Sequence, residues 1–238
     1  MAGPFEAYSS YISSQIKNLK DDLRKNRRSG NPFVTISRQT GAYGITMAEA
    51  LEEYLRNHER RQKCPWTVFE KDLLQKVVEQ HNLPETVLPY LSESTISEIQ
   101  DMLEETLGLH PSQYTLAHKT SETILHLARL GYVIIIGRGA NIITAQLSGG
   151  VHIRLVGSFE NRVNNIQKYL KIEGKKAREY VIQEDQNRIN YIKKHFGKDI
   201  NDPLLYDFVI NVDKVPSQEA VALIAELVLK RSTSQCDN

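Results

Sequence analysis

The run "YVIIIG" at 132–137 constrains the fold more than any other stretch of the chain. Consecutive β-branched residues leave a strand no polar face to turn outward. Such a strand is buried on both sides, inside a parallel sheet covered by helices. Four more segments fit that setting: "FVTI" at 33–36, "WTVF" at 66–69, "VHIRLV" at 151–156 and "FVINV" at 208–212. Each adjoins a helical pattern. "MAEALEEYL" and "EKDLLQKVVEQ" follow the first two, and "SETILHLARLG" precedes the third, stopping at Gly131. "SFENRVNNIQKYL" follows the fourth with Ser158 as its N-cap, and "PSQEAVALIAELVLKR" follows the fifth with Pro216 near its first turn. Five strands alternating with helices predict a three-layer α/β domain.

That domain is expected over residues 33–231. Residues 1–32 read as a helix with Tyr8, Tyr11, Ile12 and Ile16 on one side, then the basic linker "RKNRRSGNP", a solvated run. The helix is a route to oligomers. Between 83 and 119 the pattern turns to short helical pieces around Pro84, Pro89 and Pro111, a helical insertion suited to a substrate-binding flap. Residues 232–238 form a polar, disordered tail.

Thirty basic against 29 acidic residues give a net charge of +1, so no global field draws nucleic acid or a membrane. No apolar run reaches the roughly 18 residues of a membrane span, and the N-terminus lacks a signal peptide's apolar core. Cys64 and Cys236 lie far apart, as in a reduced cytoplasmic protein. The seven histidines, with His81, His118 and His126 in helical contexts, include no pair at metal-ligand spacing. Neither a structural zinc nor a nucleophile triad is expected.

The chemistry concentrates in "SRQTGAYGITMAEALEEYL" at 37–55. A loop between a buried strand and a helix start offers free N–H groups and the positive end of the helix dipole, and Gly41 and Gly44 let the backbone approach a phosphate. The loop Arg38, Thr40, Gly41, Ala42, Tyr43, Gly44, Ile45 and Thr46 is therefore the expected cofactor cradle, with the Thr46 hydroxyl available to magnesium. The pattern G-x-x-x-x-G-K-[ST] is not met. Gln39 occupies the first glycine position and Ile45 follows Gly44 where a lysine would stand.

Five segments in order, "FVTISRQTGAYGITMAEAL", "FEKDLLQKVVEQ", "YVIIIGRGANIIT", "VHIRLVGSFENRV" and "EDQNRINYIKKHFGKDINDPLLYDFVINVD", resemble the cytidylate kinase-like family, a bacterial branch of the nucleoside monophosphate kinases. The resemblance spans about residues 33–229. That family's loop resembles S-R-Q-Y-G-S-G-G-R-E, so the absent lysine is shared. Tyr43 stands where the family usually has glycine and Ile45 where it has arginine, and both bear on the cradle. Glu70 and Asp72 reverse the usual D-K-E order.

The resemblance implies strand order 2-3-1-4-5 in a P-loop NTPase-like fold, a monophosphate flap, and a cation-rich lid over residues 160–198. It implies ATP with Mg²⁺ and phosphoryl transfer to a small nucleotide, CMP or dCMP, which needs charge neutralisation and in-line positioning. Arg188, Arg162 and Asp185 are the catalytic candidates. Arg178, Asp185 and Arg188 return to nearly one helical face at steps of seven and three. Arg138, flanked by glycines just after a buried strand, and Lys71 and Asp72 are the substrate-binding candidates. Asp202, Tyr206 and Asp207 either close adenine's side of the site or fix the last strand. Two readings stand: a kinase, or a nucleotide-binding sensor that keeps the fold without efficient transfer.

Overall fold

The computed structural model describes residues 30–58, 65–70 and 113–233. The expected N-terminal helix, most of the helical insertion, Cys64, Lys71, Asp72, His81 and Cys236 lie outside the described residues.

The five strands are β1 (Phe33–Arg38), β2 (Thr67–Phe69), β3 (Val133–Ile136), β4 (Gly150–Val156) and β5 (Phe208–Asn211). They form one parallel sheet in the order β2-β3-β1-β4-β5. β1 is central: Ile36 faces Ile136 of β3 on one side and Ile153 of β4 on the other. The helices are α1 (Gly44–His58), α2 (Gln113–Leu130), α3 (Ala140–Ile143), α4 (Phe159–Leu170), α5 (Gly174–Phe196) and α6 (Ser217–Thr233). α2 begins inside the stretch assigned to the insertion, and the short α3 had no periodicity to announce it.

Strand alternation sends side chains to two covered faces, as continuous apolar runs require. One face joins Val34, Ile36, Ile134, Ile136, Ile153 and Leu155 to Met47, Leu51 and Leu55 of α1 and to Ile224 and Val228 of α6. The other joins Phe33, Phe69, Val133 and Ile135 to Ile124, Leu127 and Leu130 of α2. Beside this second core the register pairs Thr35 with His152 and Ser37 with Arg154. Those polar pairs are satisfied internally: Thr35 Oγ1 and His152 Nδ1 are 2.8 Å apart, and Arg154 donates to Ser37 Oγ at 2.8 Å and Asn201 Oδ1 at 3.0 Å.

Asp202, Tyr206 and Asp207 fix the last strand. Asp202 accepts from Leu204 N–H, and the Tyr206 hydroxyl donates to the Ile200 carbonyl at 2.8 Å. Asp207 accepts from His152 N–H and pairs with Arg231 at 2.6 Å, clamping the end of α6 to the start of β5. α4 and α5 form a hairpin around Val163, Ile166, Ala177 and Val181, against the sheet's C-terminal edge.

Candidate functional site

Every strand points its C-terminal end toward the loop 39–43, the edge where open parallel sheets bind ligands. The loop is shaped by α4 and α5. Gly41 has φ +80°, and a Cβ there would run into the Arg162 carbonyl oxygen, so glycine is required by the approach of α4. Arg162 Nη1 donates to the Thr40 carbonyl at 3.0 Å, and Asn165 Nδ2 donates to the Gly41 carbonyl at 2.9 Å. In a trans peptide the next N–H points opposite to the carbonyl. Both bonds therefore turn the N–H groups of Gly41 and Ala42 away from α4.

Tyr43, expected to crowd the cradle, points elsewhere. It adopts φ +55°, its ring is 50% exposed, and its hydroxyl donates to Asn165 Oδ1 at 2.5 Å. Asn165 thus holds a loop carbonyl and a loop side chain at once. α1 begins at Gly44, and Met47 N–H makes the first bond back, to the Tyr43 carbonyl. The N–H groups of Gly44, Ile45 and Thr46 make up that first turn, where a helix offers no carbonyl to receive them. Ile45 and Thr46 are exposed.

Asp185 of α5 closes the loop from the other side. Its Oδ1 accepts from Thr40 N–H and Thr40 Oγ1, both at 2.7 Å, and its Oδ2 accepts from Arg162 at 2.6 Å. Arg162 is 6% exposed, and its Nε also donates to the Gly157 carbonyl at 3.0 Å. Two of the three residues expected to act on substrate therefore spend their polar atoms on each other and on Thr40. The third does not. Arg188 donates to Thr40 Oγ1 and lies 3.5 Å from both Asp185 and Glu184. Arg178 shares their helix but stands apart, in a two-oxygen pairing with Glu160 and 4.9 Å from the Phe159 ring centroid.

The turn after β3 brings in a further cation. Gly137, Arg138 and Gly139 all have positive φ, at +80°, +55° and +72°. A Cβ at Gly137 would meet the Arg38 guanidinium, and one at Gly139 would meet the Phe196 ring, which explains the glycines. Arg138, a non-glycine held left-handed between them, stacks 5.7 Å from the Tyr191 ring centroid and hydrogen-bonds that side chain. Arg38, Arg138 and Arg188 converge. Burial, then the charges of Arg188 and Arg138, bring the Arg38 guanidinium down to about 10, with Glu70 and Glu184 opposing. A bound anion would relieve that repulsion.

On the far side of the loop a cleft of about 640 Å³ opens past the ends of β4 and β5, lined by Gln39, Gly157, Ser158, Asn161, Asn211, Asp213 and Lys214 among others. Sequence reasoning missed it, because its members come from three separate loops. Ser158 holds the N-cap position of α4, but its side chain makes no cap bond. Asp213 takes over that work: it accepts from Ser158 N–H at 2.6 Å and from the Ser158 and Asn161 side chains. These bonds keep its carboxyl below the usual carboxylate range, with the Ser158 backbone bond the largest cause.

A 2-3-1-4-5 parallel sheet, helices on both faces and a glycine loop between the central strand and a helix start define a P-loop kinase-like fold. A family model described as the cytidylate kinase-like family matches residues 33–214. The chain belongs to that family. Among solved structures it is similar to an uncharacterized protein from Eubacterium ventriosum, with 19% identity, a TM-score of 0.63, and coverage of 84% of this chain and 99% of that one. This likeness concerns the fold alone. Looser matches include shikimate kinase from Bacteroides thetaiotaomicron, at 12% identity, TM-score 0.43 and coverage of 84% and 96%. Shikimate kinase from Acinetobacter baumannii matches at 14% identity, TM-score 0.43 and coverage of 84% and 94%. No curated protein matches the chain.

Proposed function

We propose that this chain transfers a phosphoryl group from a nucleoside triphosphate, ATP in the family it belongs to, onto a small phosphate-bearing acceptor, CMP or dCMP, in the cytoplasm. The observation that supports this most is the convergence of Arg38, Arg138 and Arg188 beside the loop, with Arg38 held at about 10 by burial and by its neighbours' charges. Phosphoryl transfer asks for such a concentration of positive charge, because its transition state spreads negative charge over the transferred group. It also replaces the lysine that the loop lacks.

In this reading the N–H groups of Gly41 and Gly44–Thr46 hold the donor phosphates, Arg138 holds the acceptor, and Arg188 meets the charge that develops between them. Arg162 and Asp185 shape the loop. Lys71 and Asp72 remain acceptor-side candidates. Thr46, exposed on the first turn of α1, suits a magnesium ion, which would neutralise phosphate charge. Among the described residues no group of three or more His, Cys, Asp or Glu gathers to hold a metal unaided, so the nucleotide phosphates would supply most of its ligands.

The second reading, nucleotide binding without turnover, draws support from the engagement of Arg162 and Asp185 with each other and with Thr40. Coupled measurement of nucleoside diphosphate release against a panel of nucleoside monophosphates, with magnesium and either ATP or GTP, separates the two. Release with CMP or dCMP supports the kinase. Triphosphate binding without release against any monophosphate supports the sensor.

A further inference from the structure

Resting on the donor reading above, we infer that the cleft beyond Gln39 reads the base of the donor nucleotide and selects a purine with a carbonyl at C6, guanine or hypoxanthine, over adenine. The cleft begins one residue before Thr40, at the C-terminal ends of β4 and β5, and its volume of about 640 Å³ suits a nucleoside. Phosphates on the first turn of α1 leave this cleft on the side of the loop away from Arg138.

Side-chain amides ordinarily present either a donor or an acceptor by turning over. Here the backbone fixes which end is left. Gln39 Oε1 accepts from Gly157 N–H at 3.0 Å, so its NH₂ is the remaining end. Asn211 Oδ1 accepts from Asp213 N–H at 3.0 Å, which again leaves an NH₂. Lys214 adds an ammonium to the same lining. Asp213, the carboxylate that would welcome adenine's amino group, already accepts three hydrogen bonds from Ser158 and Asn161 at the start of α4, most of what a carboxylate can take. Asn161 must use its NH₂ to bond that carboxylate, so its carbonyl oxygen is the single amide acceptor turned free.

The lining therefore offers three donor groups against one free amide oxygen and what is left of Asp213. Guanine and hypoxanthine present O6 and N7 as adjacent acceptors, the pair that lysine and other donors take up. Adenine replaces O6 with an NH₂, which would confront donors. A mispaired donor forfeits its hydrogen bond on desolvation.

Calorimetry on the full chain with ATP, GTP and ITP, each with magnesium, tests this, because the three share their phosphates and ribose. GTP and ITP should bind about tenfold more tightly than ATP, the discrimination expected of one paired base edge. Lys214→Met combined with Asn211→Asp should narrow or reverse that ratio, with circular dichroism verifying the fold. ATP binding as tightly as GTP and ITP, or more tightly, overturns the inference and leaves the kinase reading standing. A ratio unchanged in the double variant overturns the assignment to this cleft. If none of the three binds, the donor site itself is wrong and both readings fall.

Discussion

Arg38 sits in an environment that disfavours its own charge, buried and facing Arg138 and Arg188. Its positive charge therefore costs stability until an anion arrives. Arg38→Met should stabilise the free protein by on the order of 1–3 kcal/mol in denaturant titration. The same variant should lose the rise in melting temperature that phosphate gives the wild type; an unchanged rise would move the anion site elsewhere. Arg188 and Arg162 separate in a different way. Arg188→Ala should lower kcat by about 10²-fold with little change in triphosphate affinity, as for one preorganised electrostatic donor. Arg162→Ala should instead cost about 2–4 kcal/mol of stability, because it strips a mostly buried pair from Asp185 and two loop carbonyl contacts. The sequence motifs located all three arginines. They could not say which were spent, since that depends on Thr40 and Gly157, whose backbone atoms carry no sequence signal.

Between elements, Asn165 fastens α4 to the loop through Tyr43 and Gly41. Tyr43→Phe removes one bond of that clasp and nothing else. A hydrogen bond worth about 1 kcal/mol should appear as roughly a fivefold weaker triphosphate Kd with kcat nearly unchanged. A wild-type Kd in the variant would show that the clasp does not shape the cradle. At the opposite edge of the sheet, burial pulls the His152 imidazole below its ordinary 6.5, and His126 is lowered mainly by burial as well. The unfolded chain then takes up protons before the native one does, so stability rises with pH through this window and is lost as pH falls below about 6.5. Urea unfolding at several pH values checks the sign, and His152→Gln should flatten part of the slope. Element boundaries were largely legible: "VIIIG" gave β3 and Pro216 marked α6, because burial on both faces and a fixed φ act locally. The N-cap of α4 was legible only as a position. Its chemistry comes from Asp213, more than fifty residues away in sequence, and α3 is too short to show a period.

Over the whole molecule, strand order was readable only through the family resemblance, since alternating strands and helices alone allow several doubly wound orders. The cleft beyond Gln39 was not readable at all, because it forms only when the ends of β1, β4 and β5 meet. What unites fold and site is one edge of one sheet, where a lysine-free loop, a turn of three left-handed residues and the α4–α5 hairpin gather arginines around a set of N–H groups. The central claim is that this edge moves a phosphoryl group. It is tested most directly by following phosphorus resonances while the full chain is incubated with magnesium, CMP and either GTP or ATP. The account predicts that the CMP resonance gives way to those of a diphosphate as the donor's γ-phosphate signal falls in step, and that Arg188→Ala slows this about 10²-fold. Unchanged CMP, dCMP and other monophosphates, in the presence of a triphosphate that calorimetry shows to be bound, would contradict it and leave a nucleotide sensor.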